Sequence, residues 1–111
     1  GKIVSDNGVN IVYDIADMNA GNIKDVLFQL KGEHENLVAV IGGKDDGKAS
    51  LSIMISENLV AEKGWNAGQI IREVSKHIQG GGGGQPFIAT AGGKNTDRLQ
   101  NALDAVKAIL N

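Results

Sequence analysis

The sequence predicts an α/β fold of the α+β type: a small mixed sheet that includes one hairpin, covered by three main helices. Three observations carry that expectation. Apolar and polar residues alternate from Val9 to Ile15 and again from Ser50 to Ser56, the period-two pattern of strands. Apolar residues recur at helical spacing in three separate stretches, Ile23 to Leu30, Ala67 to Ile78 and Leu99 to Leu110. The 111 residues suffice for one domain and not for two, so these elements are expected to share one core over residues 1–111.

In the first strand Val9, Ile11, Tyr13 and Ile15 alternate with Asn10, Val12 and Asp14, which gives one better-buried face. Ile23, Val26, Leu27 and Leu30 then mark a helix; Asp17 or Asn19 suits its N-cap and Gly32 its C-terminal stop. Leu37 to Ile41 is a short, continuous apolar run and reads as a central strand buried on both faces. Lys44-Asp45-Asp46-Gly47-Lys48 is a turn, with Asp46-Gly47 favouring positive φ. Leu51, Ile53 and Ile55 alternate with Ser50, Ser52, Met54 and Ser56 in the returning strand, whose serines take the outer positions. Glu57 to Lys63 is a short helix ended by Gly64. A longer one follows, with Ala67, Ile71, Val74 and Ile78 on its apolar stripe and Gln69, Arg72, Glu73 and Lys76 opposite. Phe87 to Thr90 allows a short fourth strand. Leu99, Leu103, Val106 and Leu110 define the last helix, capped by Asn95 or Thr96.

Composition narrows the function. Aromatics are 4% of the chain, so the core must be aliphatic. No apolar run approaches the ~20 residues of a membrane span, and the first residues do not resemble a signal peptide. Cysteine is absent, which excludes disulfides, thiolate catalysis and Cys-based zinc sites, and the expected location is the cytoplasm. The chain does not begin with Met and reads as a fragment or processed form, with Gly1 a remnant. A domain that grips nucleic acid unaided is usually basic, whereas the formal charge here is −2. Nucleic-acid contact is therefore expected to be local, weak or assisted by attached domains.

Catalysis finds little support. His34 falls in a loop, and His77 follows Glu73 by one helical turn, the spacing of a surface pair. Asp45-Asp46 belongs to turn chemistry, and no nucleophile motif surrounds Ser50, Ser52 or Ser56. No cofactor or metal is expected in this domain.

The most telling segment is Gly80, Gly81, Gly82, Gly83 and Gly84, followed by Gln85-Pro86-Phe87. Ordering glycine is entropically expensive, so five in a row call for a purpose. Consecutive bare amides can form a partly positive nest for phosphate. Arg72 and Lys76 precede them on one helix face, while Lys94 and Arg98 bracket the start of the last helix, where free amides also favour anions. Phe87 offers a stacking surface if exposed and a core residue if not. The alternative reading of the glycines is close packing of two elements. No Gly-Lys-Ser/Thr follows them, so the segment is not a Walker loop.

From Ala16 onward the chain resembles the C-terminal domain of alanyl-tRNA synthetase. The resemblance rests on Gly64-Trp-Asn-Ala-Gly-Gln-Ile-Ile71, on Gly80 to Phe87, and on Ala89-Thr-Ala-Gly-Gly-Lys-Asn95. The same domain type accompanies phosphoesterases of the Asp-His-His class, in which a histidine usually follows the glycines; Gln85 stands there instead and favours the synthetase branch. The resemblance implies an accessory, tRNA-binding domain that supports aminoacylation and editing by a larger enzyme. That enzyme's catalytic residues, its ATP and Mg sites and its zinc site lie outside this chain. Only the glycine block, Lys94 and Asn95 are carried over by motif; Arg72, Lys76 and Arg98 follow from position. A basic residue commonly follows the glycines in relatives, and Gln85 removes that charge. The alternatives are a self-association module, with Phe28 or Trp65 exposed, or the nucleotide- or oligonucleotide-binding domain of a phosphoesterase.

Overall fold

The computed structural model describes residues 3–110. Six strands, β1 (Val4–Asp6), β2 (Val9–Ala16), β3 (Leu37–Asp45), β4 (Lys48–Ile55), β5 (Gly80–Gly84) and β6 (Ile88–Gly93), form one mixed sheet. The order is β1-β2-β3-β4-β6-β5. β2 and β3 are parallel, with Ile11 opposite Val38, and the remaining pairs are antiparallel. A parallel pair needs a crossover, and α1 (Ala20–Glu33) supplies it. α2 (Glu57–Lys63), α3 (Ala67–Val74), a 3-10 turn (Ser75–Ile78) and α4 (Leu99–Leu110) cover the opposite face. The expected α+β class holds.

Two apolar layers hold the sheet. Ile23 and Leu27 of α1 pack with Val12, Leu37, Ala39, Ile41 and Met54. The larger layer joins Val38, Val40, Leu51, Ile53 and Ile55 to Ile71, Val74, Ile78, Leu99, Leu103 and Val106. Leu51 and Ile53 are wholly buried, and each such side chain contributes about 1.5–3 kcal/mol over its exposed state. Strands β3 and β4 therefore lie between helices on both sides, as the continuous run from Leu37 predicts.

Local signals account for the ends. Asn19 caps α1 by accepting from the Asn22 N–H at 2.8 Å. Asp46 (φ 51°) and Gly47 (φ 75°) make the two-residue turn between β3 and β4. Gly64, in the left-handed region, ends α2.

Several expectations need correction. The glycine run is a strand, β5, and not a loop or nest. Ser50 and Ser52 are buried, because α1 covers their side of the sheet. The Ser56 hydroxyl accepts from the Leu37 N–H at 2.8 Å instead of standing free. α1 runs past Gly32 to Glu33, with His34 as its C-cap. The third helix tightens into the 3-10 turn after Val74, and a short 3-10 turn over Thr96–Arg98, capped by Asn95, precedes α4. β1 was not foreseen.

Candidate nucleic-acid interface

β5 is an edge strand: it pairs with β6 and, among the described residues, with no other strand. Its glycines have two different environments. A Cβ at Gly80 or Gly82 would collide with the Gly92 or Thr90 carbonyl, and one at Gly84 would lie 2.5 Å from the Ile88 oxygen. At Gly81 a Cβ would meet nothing, and at Gly83 only the Arg72 guanidinium, 3.6 Å away at Nε. Gly80, Gly82 and Gly84 thus press on β6, Gly83 lies partly buried against Arg72, and Gly81 leaves bare backbone open.

α3 fixes the position of this edge. A Cβ at Gly68 would stand 2.8 Å from the Gly84 oxygen, so helix and strand touch backbone to backbone. The Ala67 N–H donates to the Pro86 carbonyl at 2.8 Å, and Asn66 caps the helix by accepting from the Gln69 N–H at 3.1 Å. Arg72, one turn further along, is thereby placed over the glycine strand.

Beyond the 3-10 turn, Lys76, His77, Gln79, Asn95 and Arg98 line a shallow cavity of about 250 Å³. Gln79 (φ 52°) turns the chain from the 3-10 helix into β5. The Lys94 and Asn95 N–H groups both donate to the Ile78 carbonyl, at 2.9 and 3.0 Å, which holds the segment after β6 against this turn. Asn95 Oδ1 accepts from the Asp97 N–H at 3.0 Å. Among the described residues none of Arg72, Lys76, Lys94 and Arg98 forms an ion pair, so their charge remains available to an external anion.

Of the residues singled out in the sequence, Lys76, Asn95 and Arg98 thus share one cavity, and Arg72 shares the glycine edge. Lys94 and Gln85 are exposed. Phe87 is in neither place. It is half-buried on the α1 side, outside both core layers, with Lys31 Nζ 5.7 Å from its ring centroid. His77 and Gln79 were missed as lining residues, although their positions just before the glycines were a signal. Elsewhere His34, Glu35 and Glu57 border a polar cavity of about 580 Å³ with Lys31 and Asn58. Among the described residues, no group of three His, Asp or Glu is arranged to hold a metal ion. No described helix is long and apolar enough to cross a membrane.

These features define a class: an α+β domain that presents a bare glycine strand at one edge of its sheet, with cations nearby that form no ion pair among the described residues. The chain belongs to the DHHA1 domain family, which matches residues 8–111. It is 50% identical over 109 residues to an alanine–tRNA ligase of Christiangramia forsetii, covering 98% of this chain and 12% of that protein. It is likewise 50% identical over 101 residues to the alanine–tRNA ligase of Bacteroides thetaiotaomicron, covering 90% of this chain and 12% of that protein. The chain spans about an eighth of the length of these curated relatives. Its fold superimposes on the crystal structure of the C-Ala domain from Aquifex aeolicus alanyl-tRNA synthetase with a TM-score of 0.84 and 26% identity, covering 99% of this chain and 98% of that one. The likeness read from Ala16 onward therefore covers the domain and reaches back through β2.

Proposed function

We propose that the chain is the C-terminal domain of an alanine–tRNA ligase and helps that enzyme hold its tRNA during aminoacylation and editing. The single observation that carries this reading is the bare glycine edge with Arg72 against it and Lys76 and Arg98 in the adjoining cavity, none of which forms an ion pair among the described residues. Backbone with no side chains lets a phosphate-bearing partner approach closely, and each unpaired cation can displace a counterion from it. The net charge of −2 keeps isolated binding weak. Tethering to the rest of the enzyme raises the effective concentration and makes weak contacts sufficient. In this reading ATP, Mg and zinc belong to other domains, the partners are tRNA and those domains, and the location is the cytoplasm.

The test is charge reversal at the edge. Arg72→Glu, Lys76→Glu and Arg98→Glu together are expected to weaken tRNA binding and to flatten its salt dependence by about 0.7–0.9 in log–log slope per lost phosphate contact. Lys63→Glu, near β2 at the other end of the sheet, serves as the control. Unchanged tRNA binding by the triple variant at low salt overturns the interface.

The unpaired edge of β5, together with Phe28 at 47% exposed, also supports self-association across a twofold axis as a second reading. Trp65 does not contribute an exposed face, since it packs partly buried against the larger core layer. Sedimentation of the chain decides: a concentration-independent monomer eliminates this reading.

A further inference from the structure

The cavity beyond the glycine strand is lined by Lys76, His77, Gln79, Asn95 and Arg98, and by no carboxylate or apolar residue. Carboxylates border the cavities elsewhere on the surface: Glu35 and Glu57, Asp45, Asp6 or Asp14. Every lining side chain here can donate a hydrogen bond, and Lys76 and Arg98 are cations. That composition selects an oxyanion. With no aromatic or aliphatic wall on which a base could stack, it suits the phosphate of a nucleotide and not the base.

His77 reaches this cavity because the turn that bears it is pinned. Ser75 and Ile78 are buried, and residues three apart in a 3-10 turn lie on one side. Lys76 and His77, between them, are therefore turned away from the core. The Ser75 hydroxyl donates to the Arg72 carbonyl at 3.4 Å and the Gln79 N–H to the Lys76 carbonyl at 3.1 Å, which closes the turn at both ends. Across the cavity Asn95 Oδ1 is engaged by the Asp97 N–H, so Nδ2 is left to donate.

The charges around His77 come from three elements. α3 brings Arg72 and Glu73, the turn itself Lys76, and the segment before α4 Lys94, Asp97 and Arg98. β5, β6 and residues 99–103 of α4 bring none. The pair with Glu73 that the sequence spacing suggests is not formed, and the His77 ring has no ion-pair partner among the described residues. Its nitrogens are thus open to a ligand.

We propose, on the tRNA reading above, that this cavity holds one phosphodiester group of the RNA backbone between Lys76, Arg98 and His77, and that the His77 ring takes a proton from solvent as the phosphate enters. An imidazolium donates from both nitrogens, whereas the neutral ring has one donor. Imidazole changes charge between about pH 5 and 8, so this contact makes binding proton-linked where the lysine and arginine contacts do not. Once charged, the ring also displaces one further counterion from the RNA.

A tRNA transcript without a terminal phosphate is the probe, since a phosphomonoester itself titrates at about pH 6 and a diester does not. The chain has two histidines, and His34, the C-cap of α1, serves as internal reference. In the ¹⁵N-labelled chain the titration midpoint of the His77 ring is expected to rise when tRNA is added, while that of His34 stays. From about pH 8 to about pH 6, tRNA affinity at fixed salt is expected to rise roughly three- to tenfold. The log–log salt slope is expected to steepen by about 0.7–0.9 over the same interval. His77→Gln is expected to lose most of both gains and His34→Gln to keep them. An unmoved His77 midpoint, or a full pH gain in His77→Gln, overturns the proposal and leaves the edge reading standing. Normal tRNA binding by the Arg72, Lys76 and Arg98 triple variant overturns both.

Discussion

Replacing Gly82 by Ala puts a methyl group into the backbone of the neighbouring strand, whereas the same change at Gly81 puts it into solvent. At Gly82 the new Cβ would lie 2.5 Å from Ala91 Cα and 2.7 Å from Ala91 Cβ, and closer still to the Thr90 carbonyl. Comfortable carbon–carbon separation is about 3.5–4.0 Å, so β5 must withdraw by roughly 1 Å. The obstacles are β6 backbone and cannot rotate away. Overpacking of this kind costs about 1–3 kcal/mol, and ladder hydrogen bonds lost as β5 withdraws add about 0.5–1.5 kcal/mol each. We expect about 2–3 kcal/mol of destabilisation for Gly82→Ala. Gly81→Ala meets no atom within 4 Å and removes chain entropy from the unfolded state, for a gain of about 0.4–1 kcal/mol. Urea unfolding followed by the single Trp65 resolves the difference. With a slope of roughly 1–3 kcal/mol/M, the Gly82→Ala midpoint falls by about 1–2 M while that of Gly81→Ala holds or rises. Equal shifts in the same direction would refute the assignment of alternate glycines to different environments.

Other expectations can be checked as directly. Burial raises the pKa of Tyr13, the only tyrosine, above its ordinary 10.0, so absorbance at 295 nm should titrate with a midpoint above that value. The folded state then holds the proton more tightly, and its contribution to stability, full below pH 10, declines as pH rises through the folded pKa; Tyr13→Phe should remove that alkaline slope. Asn66→Ala deletes the cap that accepts from Gln69, and thermal unfolding should show a loss of about 1 kcal/mol. Gly47→Ala forces a side chain into φ 75° at the β3–β4 turn and should cost roughly 1–2 kcal/mol in the same assay.

The helices and the central hairpin could be read because their signals are local. Ile71, Val74 and Ile78 recur on one side of a helix, and Asp46-Gly47 takes the positive φ values that its residue types favour. β1 escaped notice although Asn7 (φ 52°) and Gly8 (φ 81°) form the same kind of turn, because Val4–Asp6 is short and exposed, with no buried face to pattern it. The burial of Ser50 and Ser52 was hidden for another reason. Alternation separates two faces but does not say that a helix covers the polar one. Glycine is depleted in strands, so propensity alone argues against β5; pairing with β6 decides it. At the interface, Lys76, Asn95 and Arg98 could be grouped because they flank the glycines in the chain. The separation of Phe87 could not, since it depends on the face toward which the turn after β5 directs the ring.

The glycine strand itself contains the argument about function. Gly80, Gly82 and Gly84 are accounted for by contact with β6, and that contact would be satisfied with side chains at the intervening positions. Gly81 has no such reason, for a Cβ there meets nothing, yet glycine within a strand costs roughly 0.5–1 kcal/mol relative to Ala. A residue that lowers stability without a packing role is the position at which a functional requirement is to be tested first. Its outward, bare backbone adjoins Gly83, over which Arg72 lies. If tRNA approaches this edge closely, Gly81→Ala should stabilise the chain and at the same time weaken tRNA binding, and Gly81→Val should weaken it further. Filter binding at low salt with folded variants separates the two effects. Undiminished affinity in both variants would remove the bare edge from the interface and leave Lys76, Asn95 and Arg98 as its remaining support.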